Sequence, residues 1–247
     1  MTKILLMLLV LGGSQAVLRA AEPPAWQQLG EAWAADTVAA APRAGQYHWE
    51  ASLLLRDQWV RGKKQIAAVL AKARLDPAAY RFQGAVEQDA DRHTTTALFQ
   101  SEAGAMVHVT VWVQMLKRRM RVLDLILPHG AQAAVAAGRM DAARARWTAL
   151  VNGGEGDRFV AGVFTTDARQ IYGFDVTTGN EALRAYYSFL NGENHGIALK
   201  ARHLFAVKND ETVEIGSYRD KFARTGYYLL LWRGRGEKAR VALDFNF

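Results

Sequence analysis

The chain has 247 residues, half of them hydrophobic and 22% charged, which is ample for a buried core and excludes a disordered chain. It contains no cysteine, so disulfides, thiolate nucleophiles and thiolate metal sites are excluded. Lys and Arg outnumber Asp and Glu by 31 to 24, a formal net charge of +7, too mild a surplus to argue for nucleic acid.

The first residues read as an export signal. Lys3 supplies a positive start, Ile4 to Leu11 is a short apolar run, and Ser14-Gln15-Ala16 fits a small-x-small cleavage site, with a second possible cut after Ala20 or Ala21. The run is shorter than the roughly 20 apolar residues that span a bilayer, and no later stretch is long and uncharged enough to cross one. A leader over residues 1–21 predicts a periplasmic or secreted protein without a transmembrane segment.

An Ala-rich helix is expected from about Pro24 to Ala41, with Trp26, Leu29, Trp33 and Val38 at helical spacing. An extended segment, Tyr47 to Leu55, leads through a turn at Arg61-Gly62 into a helix over Lys63 to Ala73. Four strand-like segments follow: Tyr80 to Glu87, Thr94 to Gln100, Met106 to Leu116 and Arg121 to Leu127. Pro128-His129-Gly130 breaks the pattern and marks a junction.

The second half restarts with a helix from Ala131 to Val151, capped at Asn152-Gly153-Gly154. A helical turn is expected at Phe159 to Phe164 and a strand at Ala168 to Asp175. Thr178, with Glu181 three residues on, predicts a capping box for the next helix. Four strands should close the chain: Ile197 to Val207, Glu211 to Asp220, Gly226 to Arg233 and Lys238 to Phe247.

The second half repeats the first. Trp26 and Asp36 are spaced like Trp147 and Asp157, and Trp112 and Asp124 like Trp232 and Asp244. The segment His48 to Leu70 overlays Thr165 to Tyr187 without a gap, matching Glu50-Ala51 with Asp167-Ala168, Gly62 with Gly179 and Ile66 with Leu183. A period of about 120 residues is the size of a domain, not of a solenoid repeat. The division is therefore a leader at 1–21, one domain at 22–128 and another at 129–247. Helices followed by strand runs indicate an α+β class with mainly antiparallel sheets.

This order (early Trp, acidic-Ala pair, Gly before an amphipathic helix, strand meander) resembles the nuclear-transport-factor-2-like superfamily, which includes SnoaL-like cyclases and ketosteroid isomerases. The resemblance implies two tandem cone-shaped domains, each a curved sheet wrapped around two to three helices, whose open end is often a pocket for an apolar molecule. It also implies pairing through the sheet, within one chain or as a homodimer. In the second copy Trp147, Tyr186, Tyr187, Tyr218, Tyr227, Tyr228 and Trp232 are placed to face such a cavity. The first has Leu70 where the second has Tyr187, so it reads as a structural partner.

For chemistry, Asp175 and His203 are the candidates for a general acid or base, with Tyr218 as a hydrogen-bond donor. The cavity candidates are thus Trp147, Asp175, Tyr187, His203, Tyr218 and Trp232, for a small apolar or amphipathic ligand or a protein partner. Asp124 and Asp244 stand in final strands of apolar residues; period-2 alternation puts Asp244 on the more polar face, as a solvated carboxylate paired with an Arg. The isomerase constellation of base, Tyr and protonated Asp cannot be placed residue by residue, so no catalytic residue is assigned. His48, His93, His108, His129, His195 and His203 lack ligand spacing, and no cofactor or metal is expected. His195 lies in an Asn191–Gly196 loop read as a mobile or exposed turn. A basic turn precedes each final strand: Lys117, Arg118, Arg119 and Arg121, then Arg233, Arg235, Lys238 and Arg240.

Overall fold

The computed structural model describes residues 25–38, 46–73, 75–89, 91–101, 104–116, 118–129, 137–207 and 210–246. The expected leader at 1–21, Lys117, Gly130 and the first residues of the expected Ala131 helix lie outside the described residues, as do the side chains of Trp26 and Asp36.

The first half contains helices α1 (Ala25–Val38) and α2 (Lys63–Lys72) and strands β1 (Tyr47–Leu55), β2 (Gln58–Arg61), β3 (Leu75–Asp89), β4 (Arg92–Ser101), β5 (Gly104–Met115) and β6 (Arg118–Pro128). The second contains α3 (Asp141–Asn152), α4 (Gly156–Val163), β7 (Phe164–Tyr172), β8 (Asp175–Thr178), α5 (Asn180–Tyr186), β9 (Ala198–Ala206), β10 (Glu211–Arg219), β11 (Thr225–Arg233) and β12 (Arg240–Asn246). Strand orders are β2-β1-β6-β5-β4-β3 and β8-β7-β12-β11-β10-β9, the same order twice. Among the described strands only β1–β6 and β7–β12 are parallel.

The duplication holds at single residues. Leu53 pairs with Asp124 across β1–β6, and Gln170 with Asp244 across β7–β12. Gly62 N–H donates to Ala51 O at 2.8 Å, and Gly179 N–H to Ala168 O at 2.9 Å. Both glycines have a φ near +85°, open to Gly and strained for other residues, at the step from hairpin to helix. The same glycine corrects the expected Thr178 cap. Gly179 is the N-cap of α5 and no side chain caps it, because Thr178 is still held in the β7–β8 ladder opposite Arg169.

Each sheet has two faces with different partners. The inner face curves over its helices, forming a core around Trp33, Tyr47, Leu53 and Ile66 in the first half and around Phe159, Leu183, Tyr187 and Trp232 in the second. The outer faces pack on each other. Their shared core draws eight buried residues from the first half, among them Val109, Leu123 and Leu125, and nine from the second, among them Ile215, Leu229 and Phe245. The seam is closed by the His48 ring stacked on Phe174 at 3.9 Å, by the Arg169 guanidinium over Trp59 at 5.2 Å, and by His129 bridged to Val207. Among the described residues no helix is long and apolar enough to cross a membrane.

Candidate functional site

The inner face of the second sheet does not meet its helices everywhere. At the open end lies a cavity of about 450 Å³ with eight aromatic side chains in its wall: Trp147 of α3, Tyr186 at the end of α5, Tyr187 and Phe189 in the 3-10 turn that follows, Tyr172 of β7, Tyr218 of β10, Phe222 in the β10–β11 turn and Tyr228 of β11. Two glycines make room for two of these rings. Gly216 stands opposite Tyr228 and Gly226 opposite Tyr218. A Cβ on either would come within 2.3 Å or 2.4 Å of the facing ring, so each Tyr lies flat over a residue that must lack a side chain.

Asp244 lies at the buried end, 2% exposed. Tyr187 donates its hydroxyl to Asp244 Oδ2 at 2.7 Å, and Asn246 Nδ2 donates to Oδ1 at 2.9 Å. Burial pushes the carboxyl pKa up to about 6, against the two hydrogen bonds that favour its charged form. Tyr187 is fixed edge-on to Phe159 at 5.1 Å and stacked on Phe164 at 5.5 Å. Burial and then the Asp244 charge hold its hydroxyl well above the usual tyrosine range, so it stays a donor.

This corrects the expectation of a solvated Asp244. The alternation holds from Leu243 to Asn246, with Asp244 and Asn246 on one face and Leu243 and Phe245 on the other, but a bulge breaks it before that, putting Val241 in the inner core and Ala242 in the outer one. The more polar face is the inside of the cone, because the outer face is covered by the other sheet. No Arg pairs with Asp244 among the described residues.

The expected cavity residues separate into two groups. Trp147, Tyr187 and Tyr218 line the cavity. Trp147 has a buried indole N–H without a partner among the described residues. Asp175, His203 and Trp232 do not line it. Asp175 is exposed in the β7–β8 hairpin, paired with Tyr172 at the rim. His203 is opposite Ile215, whose side chain belongs to the outer-face core, so the imidazole stacks on Phe205 at 6.3 Å on the back of the sheet. Trp232 is on the inner face but sealed beneath the helices, donating Nε1–H to Glu214 Oε2 at 3.0 Å.

Glu214 is a second buried carboxylate. Tyr228 and Trp232 donate to it, and Arg144 of α3 closes the set at 2.8 Å. Burial raises its pKa despite Arg144. The mouth of the cavity carries Tyr172, Phe189 and Phe222, which are 58%, 61% and 66% exposed. The Asn191–Gly196 loop is tied there rather than free: Lys221 N–H donates to His195 O at 3.0 Å, and Gly192 N–H to Gly154 O at 2.9 Å. Two cations of the second basic turn are paired. Arg233 meets Glu211 and Asp167, and Arg235 meets Asp210. Arg121 is not a turn residue at all but fully buried beside Asp124. Among the described residues no cluster of His, Asp and Glu has the make-up of a metal site.

At the matching place in the first cone stands a buried cluster of charged and polar groups. Asp124 receives Arg121 Nη1 at 3.2 Å and the Tyr47 hydroxyl, with His108 Nε2 at 3.3 Å. Burial works against the Asp124 charge, but the Arg121 guanidinium holds its carboxyl well below the usual carboxylate range. Burial keeps His108 below the ordinary imidazole pKa.

Similar solved structures include an NTF-2 like protein of unknown function from Shewanella oneidensis, 18% identical over 42% of this chain and 92% of that one, with a TM-score of 0.36. Another is a ketosteroid isomerase-like protein from Erwinia carotovora atroseptica, 15% identical over 43% and 91%, with a TM-score of 0.33. A third is a protein of unknown function with a cystatin-like fold from Nostoc punctiforme, 16% identical over 42% and 84%, with a TM-score of 0.33. No protein-family model and no curated protein matches the sequence.

Proposed function

We propose that the protein is exported and that the second cone binds a small apolar or amphipathic molecule, with the first cone as its structural partner. One observation carries this reading: an aromatic cavity of about 450 Å³ closing on a single buried carboxyl. A concave apolar cavity with a few converging polar groups is the usual form of a small-molecule site. The unpartnered Trp147 N–H supports it, since an unmet buried donor costs about 1–3 kcal/mol unless a water or ligand meets it.

The test is native mass spectrometry of the purified chain, looking for a molecule carried through purification. Wild type should retain a reproducible passenger that Tyr218→Ala and Phe189→Ala lose. An empty wild-type protein, with unaltered melting in a metabolite screen, refutes the reading. Export is tested by fractionation and by sequencing the mature N-terminus, expected after Ala16, Ala20 or Ala21.

A second reading, proton-transfer catalysis of the isomerase, cyclase or hydratase type, is favoured by one feature. Asp244, with a pKa near 6, is suited to exchange protons near neutral pH and has Tyr187 beside it. Turnover of an identified passenger, abolished in Asp244→Asn with binding retained, would establish it.

A further inference from the structure

The two cones keep a buried aspartate at the same register, and they differ in what stands beside it. In the first, the Arg121 guanidinium carbon lies 5.1 Å, 5.6 Å and 4.3 Å from the ring centroids of Trp33, Tyr47 and Trp112, while Nη1 pairs with Asp124. Carboxylate and aromatic faces together hold one positive charge, out of water. Arg121 pairs across the sheet with Trp112 and Tyr47; the matching trio in the second half is Val241, Trp232 and Phe164. The second cone therefore keeps the carboxylate and the rings and has an aliphatic residue in place of the cation.

Among the described residues nothing else supplies that charge. The hydrogen-bond partners of Asp244 are Tyr187 and Asn246, both neutral. Lys221 and Arg224 at the mouth are already paired, with Glu193 and Asp220. Arg144 is committed to Glu214 and Asp141. Asp244 is thus the buried carboxylate of the second cone without a cationic partner among the described residues, and it is the one that the cavity opens onto.

We propose that the second cone takes an organic cation, an ammonium or guanidinium group on an apolar body, with its charge against Asp244 and its body against the aromatic walls. The ligand does for Asp244 what Arg121 does for Asp124. This rests on the cavity being a ligand site and names the class of ligand. An anionic ligand would meet the Asp244 charge at short range in a poorly solvated space. A neutral ligand would strip water from that carboxylate and return no charge. A weakly hydrated cation gains from both the carboxylate and the ring faces. At pH 7.5 a carboxyl with a pKa near 6 is ionised and ready to pair, and below that pKa it loses its charge.

The test uses three matched probes on the full chain by titration calorimetry at pH 7.5: benzyltrimethylammonium, its neutral carbon isostere neopentylbenzene, and phenylacetate. The cation should bind at least about tenfold tighter than the isostere, with phenylacetate weakest. Asp244→Asn should bring cation and isostere within about threefold of each other. In wild type, and equally in His195→Gln, which removes the imidazole on the cavity wall, cation affinity should fall severalfold from pH 7.5 to 5.0 while the isostere is unchanged. That pH series decides the matter on its own if Asp244→Asn does not fold. Neopentylbenzene binding as tightly as the cation overturns the proposal and leaves the cavity reading intact. No binding by any of the three overturns both.

Discussion

Asp124 and Asp244 hold the same register in the two sheets, yet one is locked to Arg121 and the other faces a cavity with only neutral donors. The difference fixes opposite electrostatic behaviour. Asp124 is held ionised, and Asp244 is pushed toward its neutral form.

That contrast predicts a stability gain from removing a charge. The folded pKa of Asp244, about 6, lies above the ordinary 3.8, so its contribution is fully present below pH 3.8 and is lost as pH rises through 6. Asp244→Asn should therefore stabilise the protein by about 2–3 kcal/mol at pH 7.5, from a shift of about two units. Urea denaturation at pH 7.5 should show the gain and denaturation at pH 4 should show almost none; equal effects at both pH values would contradict the assignment.

Arg121→Leu is predicted to do the reverse. It leaves Asp124 buried without its cation, a loss of about 3–5 kcal/mol. Arg121→Leu with Asp124→Asn should recover much of it, because the pair is coupled and the penalty belongs to the stranded charge. The double-mutant cycle is read by urea denaturation.

Gly226→Ala is predicted to disturb the cavity through packing. The new Cβ would meet the Tyr218 ring at 2.4 Å, forcing the ring off the sheet at a cost of about 1–3 kcal/mol. Adding Tyr218→Ala should remove most of that cost. Denaturation curves of the two single variants and the pair give the answer.

Phe222→Ser and Phe189→Ser should separate binding from stability. Both rings are mostly exposed at the mouth, so folding free energy should stay within about 0.5 kcal/mol. Affinity for a cavity ligand should fall severalfold. A large loss of stability instead would mean that these rings belong to the core.

Much of the fold was legible because the repeat is carried by backbone-determining residues. Gly62 and Gly179 mark the same turn, and strand β1 has the expected limits Tyr47–Leu55. The short strands β2 and β8 were missed. Each has four residues, too few to show alternation, and each exists because it returns on its neighbour through a tight hairpin. In the site, Trp147, Tyr187 and Tyr218 were placeable from aromatic clustering. Asp244 was misplaced for a physical reason: alternation tells which residues share a face but not which face meets water. With both faces of a sheet covered, the polar side is the interior of the cone. The mouth residues Phe189 and Phe222 sit in loops, where no periodicity marks them.

The back-to-back sheets have a consequence for how this protein comes apart. Separating the halves would bring the aliphatic row of Val109, Leu123 and Leu125 and its counterpart of Ile215, Leu229 and Phe245 into contact with solvent at once. Because the two halves share this core, heating should melt both in one cooperative step. A lesion near Arg121, far from any ligand, would then empty the opposite cup as well.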